Sequence, residues 1–330
     1  MESSVTGRFA LVYNPRSRRN MGDKSSYAPM ARSLLGENFI DPADRSLLDA
    51  AIAQLAARDM GCIVVDGGDG TVSDVLTAIH RHYDPARFPA LAILPSGNTN
   101  LIAGDVGFGL RGRKALDLLV SLADAGTLRQ KVRRRCGLVV EWPEAEGKPA
   151  VVGMFHGAAA FTRGIELAHQ PAILNHYSHE MAVVVSFLSS VAHLFTRRSR
   201  REWMQGNPIT LRAGEKSVRH GNCFLFLSST LQRLPHGIWP FWNVAGGRTD
   251  VINYLHVAGQ PSRLGAAAWA LLRGRHPAWL RHNPDYCSGC EERIEMALES
   301  DFVLDGEVFS PGASGRIVLS ATAPIDFIHA

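Results

Sequence analysis

At 330 residues the chain is longer than one hydrophobic core usually serves, so two moderate domains are expected rather than one. A hydrophobic share of 46% and a charged share of 20% suit a packed globular protein and exclude a disordered or collagen-like chain. A formal charge of +4, from 35 basic and 31 acidic residues, is too small for a whole-chain nucleic-acid-binding signature, so no nucleic-acid partner is expected.

The first predicted element is a strand over 9–13 (FALVY), stopped by Asn14-Pro15, a dipeptide that favours a turn. Over 44–58, Leu47, Leu48, Ala51, Ile52 and Leu55 recur at helical spacing behind an aspartate. The apolar run 62–65 (CIVV) then enters Asp66-Gly67-Gly68-Asp69-Gly70-Thr71, after which Val72, Val75, Leu76 and Ile79 resume a helical period. A further buried-type strand, 91–94, is closed by Pro95-Ser96-Gly97-Asn98-Thr99-Asn100, and 115–123 reads as a helix. Strands alternating with helices predict a parallel sheet covered by helices. Beyond about residue 132 the pattern becomes short strand-like runs at 138–141, 151–155, 224–227, 251–255, 302–304 and 317–319, so that half is predicted to be mainly β.

Strand, glycine loop and helix in that order form the context of a phosphate loop. Glycines let the backbone approach a ligand closely, and the N-terminus of the following helix favours an anion. Asp69 would repel a polyphosphate unless a divalent cation, a hydroxyl or an amide is interposed, so magnesium or a ribose hydrogen bond is expected there. A plain tight turn is the competing reading. The loop lacks the lysine of a Walker motif and the spacing of a dinucleotide fingerprint.

Five cysteines, at 62, 136, 223, 287 and 290, are an odd and scattered set, so free thiols in a cytoplasmic protein are expected. The N-terminal residues show no secretory pattern, and the apolar stretch 181–195 is shorter than the roughly 20 residues that cross a bilayer. Basic clusters at 129–135 (RQKVRRR) and 197–201 (RRSRR) suit phosphate or an anionic membrane surface as well as an ordinary solvated face. Membrane contact is expected at the helix 181–195 and at the aromatics Trp239, Phe241 and Trp242, with a buried helix and an aromatic core cluster as the alternative. The 13 histidines, among them His156, His176, His179 and His193, show no metal-ligand spacing.

Together these motifs resemble the diacylglycerol kinase catalytic-domain family, which includes sphingosine kinases, ceramide kinases and bacterial soluble lipid kinases. Asn14-Pro15 is similar to its N-P-x-S-G element, 67–71 is its G-G-D-G-T, Asp74 stands where a glutamate is usual, 95–100 followed by Ala103 is similar to P-x-G-T-x-N-x-x-A, and Asp305-Gly306-Glu307 is similar to D-G-E. Departures are Arg18 after Ser17, Asn98 for threonine, Leu101 for aspartate, and a 246–250 segment in which Asp250 alone keeps a metal-binding carboxylate.

The resemblance implies an α/β nucleotide-binding domain at 1–132, completed by a return of 311–330, and a β-sandwich lipid-binding domain at 133–310, with the nucleotide in the cleft between them. It implies ATP and Mg2+, a lipid hydroxyl as acceptor, and nucleotide contacts at Asn14, Gly67, Gly68, Asp69, Gly70, Thr71, Gly97, Asn98 and Asn100, with Asp250 as a metal ligand. Asp305 and Glu307 are the candidates for the general base: if the strand 302–304 continues, both carboxylates share one face. An Asp-Gly hairpin turn is the competing reading. A homodimer and peripheral association with the inner membrane face are left open. The rival functions are an NAD kinase-like enzyme and a nucleotide- or lipid-binding protein without turnover.

Overall fold

A computed structural model describes residues 9–22, 27–168, 203–214, 217–243, 246 and 248–330. The stretch 181–195, the cluster 197–201, His176, His179, His193 and Gly247 lie outside the described residues. The chain divides into two compact units, 1–137 with 322–330, and 138–321.

The first unit contains β1 (Ala10–Tyr13), α1 (Arg18–Met21), α2 (Tyr27–Leu35), β2 (Phe39–Ile40), α3 (Arg45–Ala57), β3 (Cys62–Gly67), α4 (Asp69–His82), β4 (Ala90–Pro95), α5 (Leu101–Val106) and α6 (Gly112–Asp124). It also holds the start of β5 (Val132–Glu141) and the end of β15 (Arg316–Ile328). The strands run parallel in the order β2-β1-β3-β4, and Phe327 of β15 pairs with Leu91 at the far edge. Every residue of β1 and β3 is buried, which explains why both read as unbroken apolar runs rather than as alternations. The helix predicted over 44–58 starts where it does because the Asp44 carboxylate accepts the Leu47 N–H at 2.9 Å.

From β1 the chain moves to β2 on one side, whereas from β3 it moves to β4 on the other. The loops after β1 and β3 therefore leave the sheet at a topological switch point, where ligands of open α/β sheets bind.

The RQKVRRR cluster is taken up by this unit itself. Arg129 donates to the Gly61 carbonyl at 2.5 Å, Arg134 pairs with Asp326 at 2.9 Å, and buried Arg135 grips Asp105 through two bonds of 2.8 and 2.9 Å. Four of its guanidinium groups, counting Arg133 on the Asp105 carbonyl, thus hold the chain together.

The second unit is mainly β, as the strand-like runs predict. It contains β6 (Val151–Gly153), β7 (Phe155–Ala159), α7 (Ala160–Ala168), β8 (Asn207–Ala213), β9 (Ser217–Ser229), β10 (Ile252–Ala258), α8 (Leu264–Leu272), α9 (Ala278–Arg281), β11 (Tyr286–Glu291), β12 (Arg293–Leu298), β13 (Phe302–Leu304) and β14 (Glu307–Phe309). The antiparallel order is β14-β13-β7-β9-β8-β12-β15, with β10 on β9 and β11 on β10.

One core joins Leu138, Phe226, Tyr254, Met296 and Phe302. Another joins Phe224, Phe241, Trp242, Leu255 and Tyr286. The aromatics expected at a membrane boundary belong to this second core. Phe241 is 1% exposed, Trp242 is 6% exposed, and Trp239 packs edge-on against Phe241 with centroids 5.1 Å apart. Phe241 and Trp242 are thus core residues, the alternative that the sequence also allows, with half-buried Trp239 packed against them. The five cysteines are free thiols.

Candidate functional site

Strand register brings three motifs to one edge of the first unit. Tyr13 is opposite Asp66 and Gly67 is opposite Pro95, so β1, β3 and β4 end level and release their loops side by side. The Asn14 N–H donates to the Asp66 carbonyl at 3.0 Å, and its side-chain amide donates to Thr71 Oγ1 at 2.8 Å. The Ser96 N–H donates to the Gly67 carbonyl at 3.1 Å, and the Ser96 hydroxyl donates to the Asp66 carboxylate. Asn20 donates to the Asn14 carbonyl at 2.9 Å and to the Asp66 carboxylate at 3.1 Å. Arg19 donates its N–H to the Ser96 carbonyl and its guanidinium to the Pro95 carbonyl. Asp66, Ser96, Asn20 and Arg19 are the framework that sequence reasoning missed; an acid flanking the glycine run was the one available signal.

The glycines permit an approach that no other residue could make. A Cβ on Gly97 would lie 2.5 Å from the Gly68 Cα, and a Cβ on Gly67 would lie 2.6 Å from the Thr71 Cβ. The loops after β3 and β4 therefore meet backbone to backbone at Gly68 and Gly97. Helix α4 begins at Asp69 with Gly68 as its side-chain-free cap. The amides of Asp69, Gly70 and Thr71, in its first turn, have no carbonyl one turn below them and carry the positive end of the helix dipole. A cradle that any Cβ would fill, edged by such amides at a switch point, fits a phosphate group.

Asp69 does something other than expected. Its carboxylate accepts the N–H groups of Leu101 and Ile102 at 2.9 and 3.0 Å and so caps α5. Its charge is met by these two backbone amides of α5. Burial pushes this carboxyl above its ordinary value while the two amide bonds pull it down. Asn100 closes the third loop: with φ of 50° it accepts the Gly97 N–H at 2.8 Å and returns a bond to the Gly97 carbonyl at 2.9 Å. Asn98 is exposed at the tip. Asp74, on the second turn of α4, pairs with Arg45 of α3.

In the second unit the strand does not continue through 305–307. Leu304 pairs with Glu307, and Asp305-Gly306 form a two-residue hairpin with φ of 47° and 88°. The Asp-Gly turn preference prevails over strand continuation, so Asp305 and Glu307 do not lie on one strand with their carboxylates on a common face. The Asp305 carboxylate accepts the N–H groups of Met154 and Phe155 at 2.9 Å each, and its own N–H donates to the Phe155 carbonyl. Glu307 opens β14, half-buried.

The metal expectation finds little to stand on. Both Asp250 oxygens accept from the Arg248 guanidinium, at 2.9 and 2.7 Å, and Arg248 also pairs with Glu292. Among the described residues no group of three or more His, Cys, Asp or Glu could hold a metal ion. These residues do not fit a protein-held magnesium.

Residues 8–127, on the unit carrying the three loops, match the model of the diacylglycerol kinase catalytic domain. The first unit carries that domain. A diacylglycerol kinase from Bacillus anthracis str. Sterne aligns with a TM-score of 0.60 at 16% identity, covering 98% of this chain and 97% of its own. A further structure from that organism gives a TM-score of 0.62 at 15% identity with the same coverage. At such identity these likenesses establish the fold, an α/β unit followed by a mainly β one. A yeast NADH kinase complexed with NADH reaches a TM-score of 0.45 at 9% identity, too remote to support a reading. No curated protein matches the sequence.

Proposed function

We propose that this chain is an ATP-dependent kinase that phosphorylates a hydroxyl of a diacylglycerol- or sphingoid-type lipid. The observation that carries the reading is the backbone contact of Gly68 with Gly97 beside the first-turn amides of α4, within a unit matched by the diacylglycerol kinase catalytic domain.

In this reading the amides of Gly68, Asp69, Gly70 and Thr71 bind the triphosphate, and Asn14 fixes the loop through Thr71. Gly97 and Asn100 shape the opposing wall. During transfer the acceptor oxygen bonds to the terminal phosphorus as the bridging bond to ADP breaks, and fixed amide donors stabilise the charge on the phosphoryl oxygens. Magnesium would enter with the triphosphate as part of the substrate, and no step is assigned to a protein-held ion.

The acceptor proton needs a carboxylate. Asp305 is bound on both oxygens by backbone amides, which suits it to position the turn. Glu307, the next carboxylate along that hairpin, is the general base we assign. Glu307→Gln should lower kcat by about 10² to 10⁴-fold with nucleotide affinity unchanged. Asp305→Asn should also lose stability, since one acceptor becomes a donor facing a buried N–H.

The test is to incubate the protein with ATP labelled at the terminal phosphate and either a total lipid extract or NAD. Labelled product in the organic phase supports the proposal. Label on NAD alone, or nucleotide binding without any transfer, would refute it.

A further inference from the structure

Helix α8 has the sequence LGAAAWALL, nine residues without one polar side chain. A helix apolar on every side is normally enclosed by protein or by lipid. This one is not enclosed: Ala267 is its one buried residue. Leu264 and Leu271 lean on the Phe241–Trp242 core, whereas Trp269 faces away and is 60% exposed. Among the described residues no other aromatic ring stands as far out.

Charge is arranged around this helix with one sign. Arg263 precedes it, Arg273 and Arg275 follow it, and Arg281 ends α9. From 261 to 284 there is no acidic residue. Among the described residues no carboxylate lies within ion-pair distance of these four arginines, in contrast to Arg134, Arg248 and Arg316, each of which pairs with an acid. Instead the Arg273 guanidinium lies 4.0 Å above the Trp269 ring and that of Arg263 lies 5.8 Å from Trp279. Between α8 and α9 opens a groove of about 600 Å³, walled by Trp269 and Trp279 and rimmed by Arg273 and Arg275.

We infer that the α8–α9 face docks on the surface of an anionic phospholipid bilayer, with Trp269 and the outer side of α8 at the acyl boundary and the four arginines on headgroup phosphates. Nine residues are far too few to cross a membrane, so the helix lies in the interface. Tryptophan is suited to that depth because its ring is apolar while its N–H can stay wet. Arginines that meet no carboxylate among the described residues supply the complementary charge, and a protein partner would have to bring an acidic and apolar surface at once. The inference deepens the lipid-kinase reading by naming where the lipid layer would be met, and its test needs no turnover.

The full chain, without nucleotide, is spun with sucrose-loaded vesicles of phosphatidylcholine alone or of phosphatidylcholine mixed with phosphatidylglycerol. Sedimentation with the anionic vesicles only, weakened by salt, is expected. Trp269→Ser should reduce partitioning about tenfold, from the apolar area withdrawn from the boundary. Arg273→Gln with Arg275→Gln should reduce it about thirty-fold, from the usual contribution of a basic residue near an anionic leaflet. Leu47→Ser, an exposed apolar residue on α3, should change nothing. Failure of the wild-type chain to sediment, or unchanged sedimentation of both α8–α9 variants, overturns the inference. A fall in gel-filtration mass of Trp269→Ser without lipid also overturns it, because the helix would then be covered by a second copy. Phosphorylation of detergent-dispersed lipid, measured in parallel, reports on the kinase reading independently.

Discussion

Replacing Gly97 by alanine probes the phosphate cradle with a single methyl group. That carbon would sit 2.5 Å from the Gly68 Cα, 3.2 Å from Asn100 Oδ1 and 3.4 Å from the Gly68 nitrogen. Carbon atoms rest about 3.5 to 4.0 Å apart, so the two loops must separate by about 1 Å. Backbone cannot rotate away as a side chain can. Overpacking of this kind costs about 1 to 3 kcal/mol. The free protein can relieve the strain by parting the loops, at the expense of the Ser96 to Gly67 hydrogen bond, but binding a triphosphate must draw them together again. If that strain reappears in full on binding, affinity for a non-hydrolysable ATP analogue falls about 5- to 150-fold. Titration calorimetry measures it, with Gly22→Ala as the control, since a Cβ there meets nothing nearer than 3.8 Å. Gly97→Ala binding the analogue as tightly as Gly22→Ala would refute the cradle.

Two further outcomes concern stability. Asp105→Ala leaves the Arg135 guanidinium buried without its carboxylate, and urea unfolding should register a loss of about 3 to 5 kcal/mol. Acid should weaken the second unit through His156 and His256, whose burial, helped for His256 by Arg219, holds them at about 3 and about 4 rather than 6.5. The unfolded chain then binds more protons, so this stability is present above pH 6.5 and is lost as pH falls toward 4, by up to about 1.4 kcal/mol per unit per histidine. His256→Gln should flatten the dependence of the urea midpoint on pH in that window, and an unchanged slope would contradict the assignment.

The parallel strands of the first unit were legible because full burial writes them as unbroken apolar runs: 62–65 became β3 with two more residues, and 91–94 became β4 with one more at each end. The very short β2 and the helix α5 were not, since two residues carry no periodicity and α5 owes its start to a carboxylate 32 positions away. The capping of α5 by Asp69 was hidden for the same reason: the glycines beside it announce a loop, but nothing local tells where its carboxylate turns. Asp305-Gly306 held both readings at once, and the positive φ of two successive residues selected the hairpin. The exposed α8 went unnoticed because its apolar run resembles any core helix until burial is known.

The central claim is that the amides after β3 hold the triphosphate. Hydrogen–deuterium exchange of the full chain, with and without a non-hydrolysable ATP analogue, addresses it directly. The account requires slowed exchange in peptides covering 67–71 and 96–102, where three loops meet. Slowing confined to other peptides, with those two unchanged at saturating analogue, would contradict it.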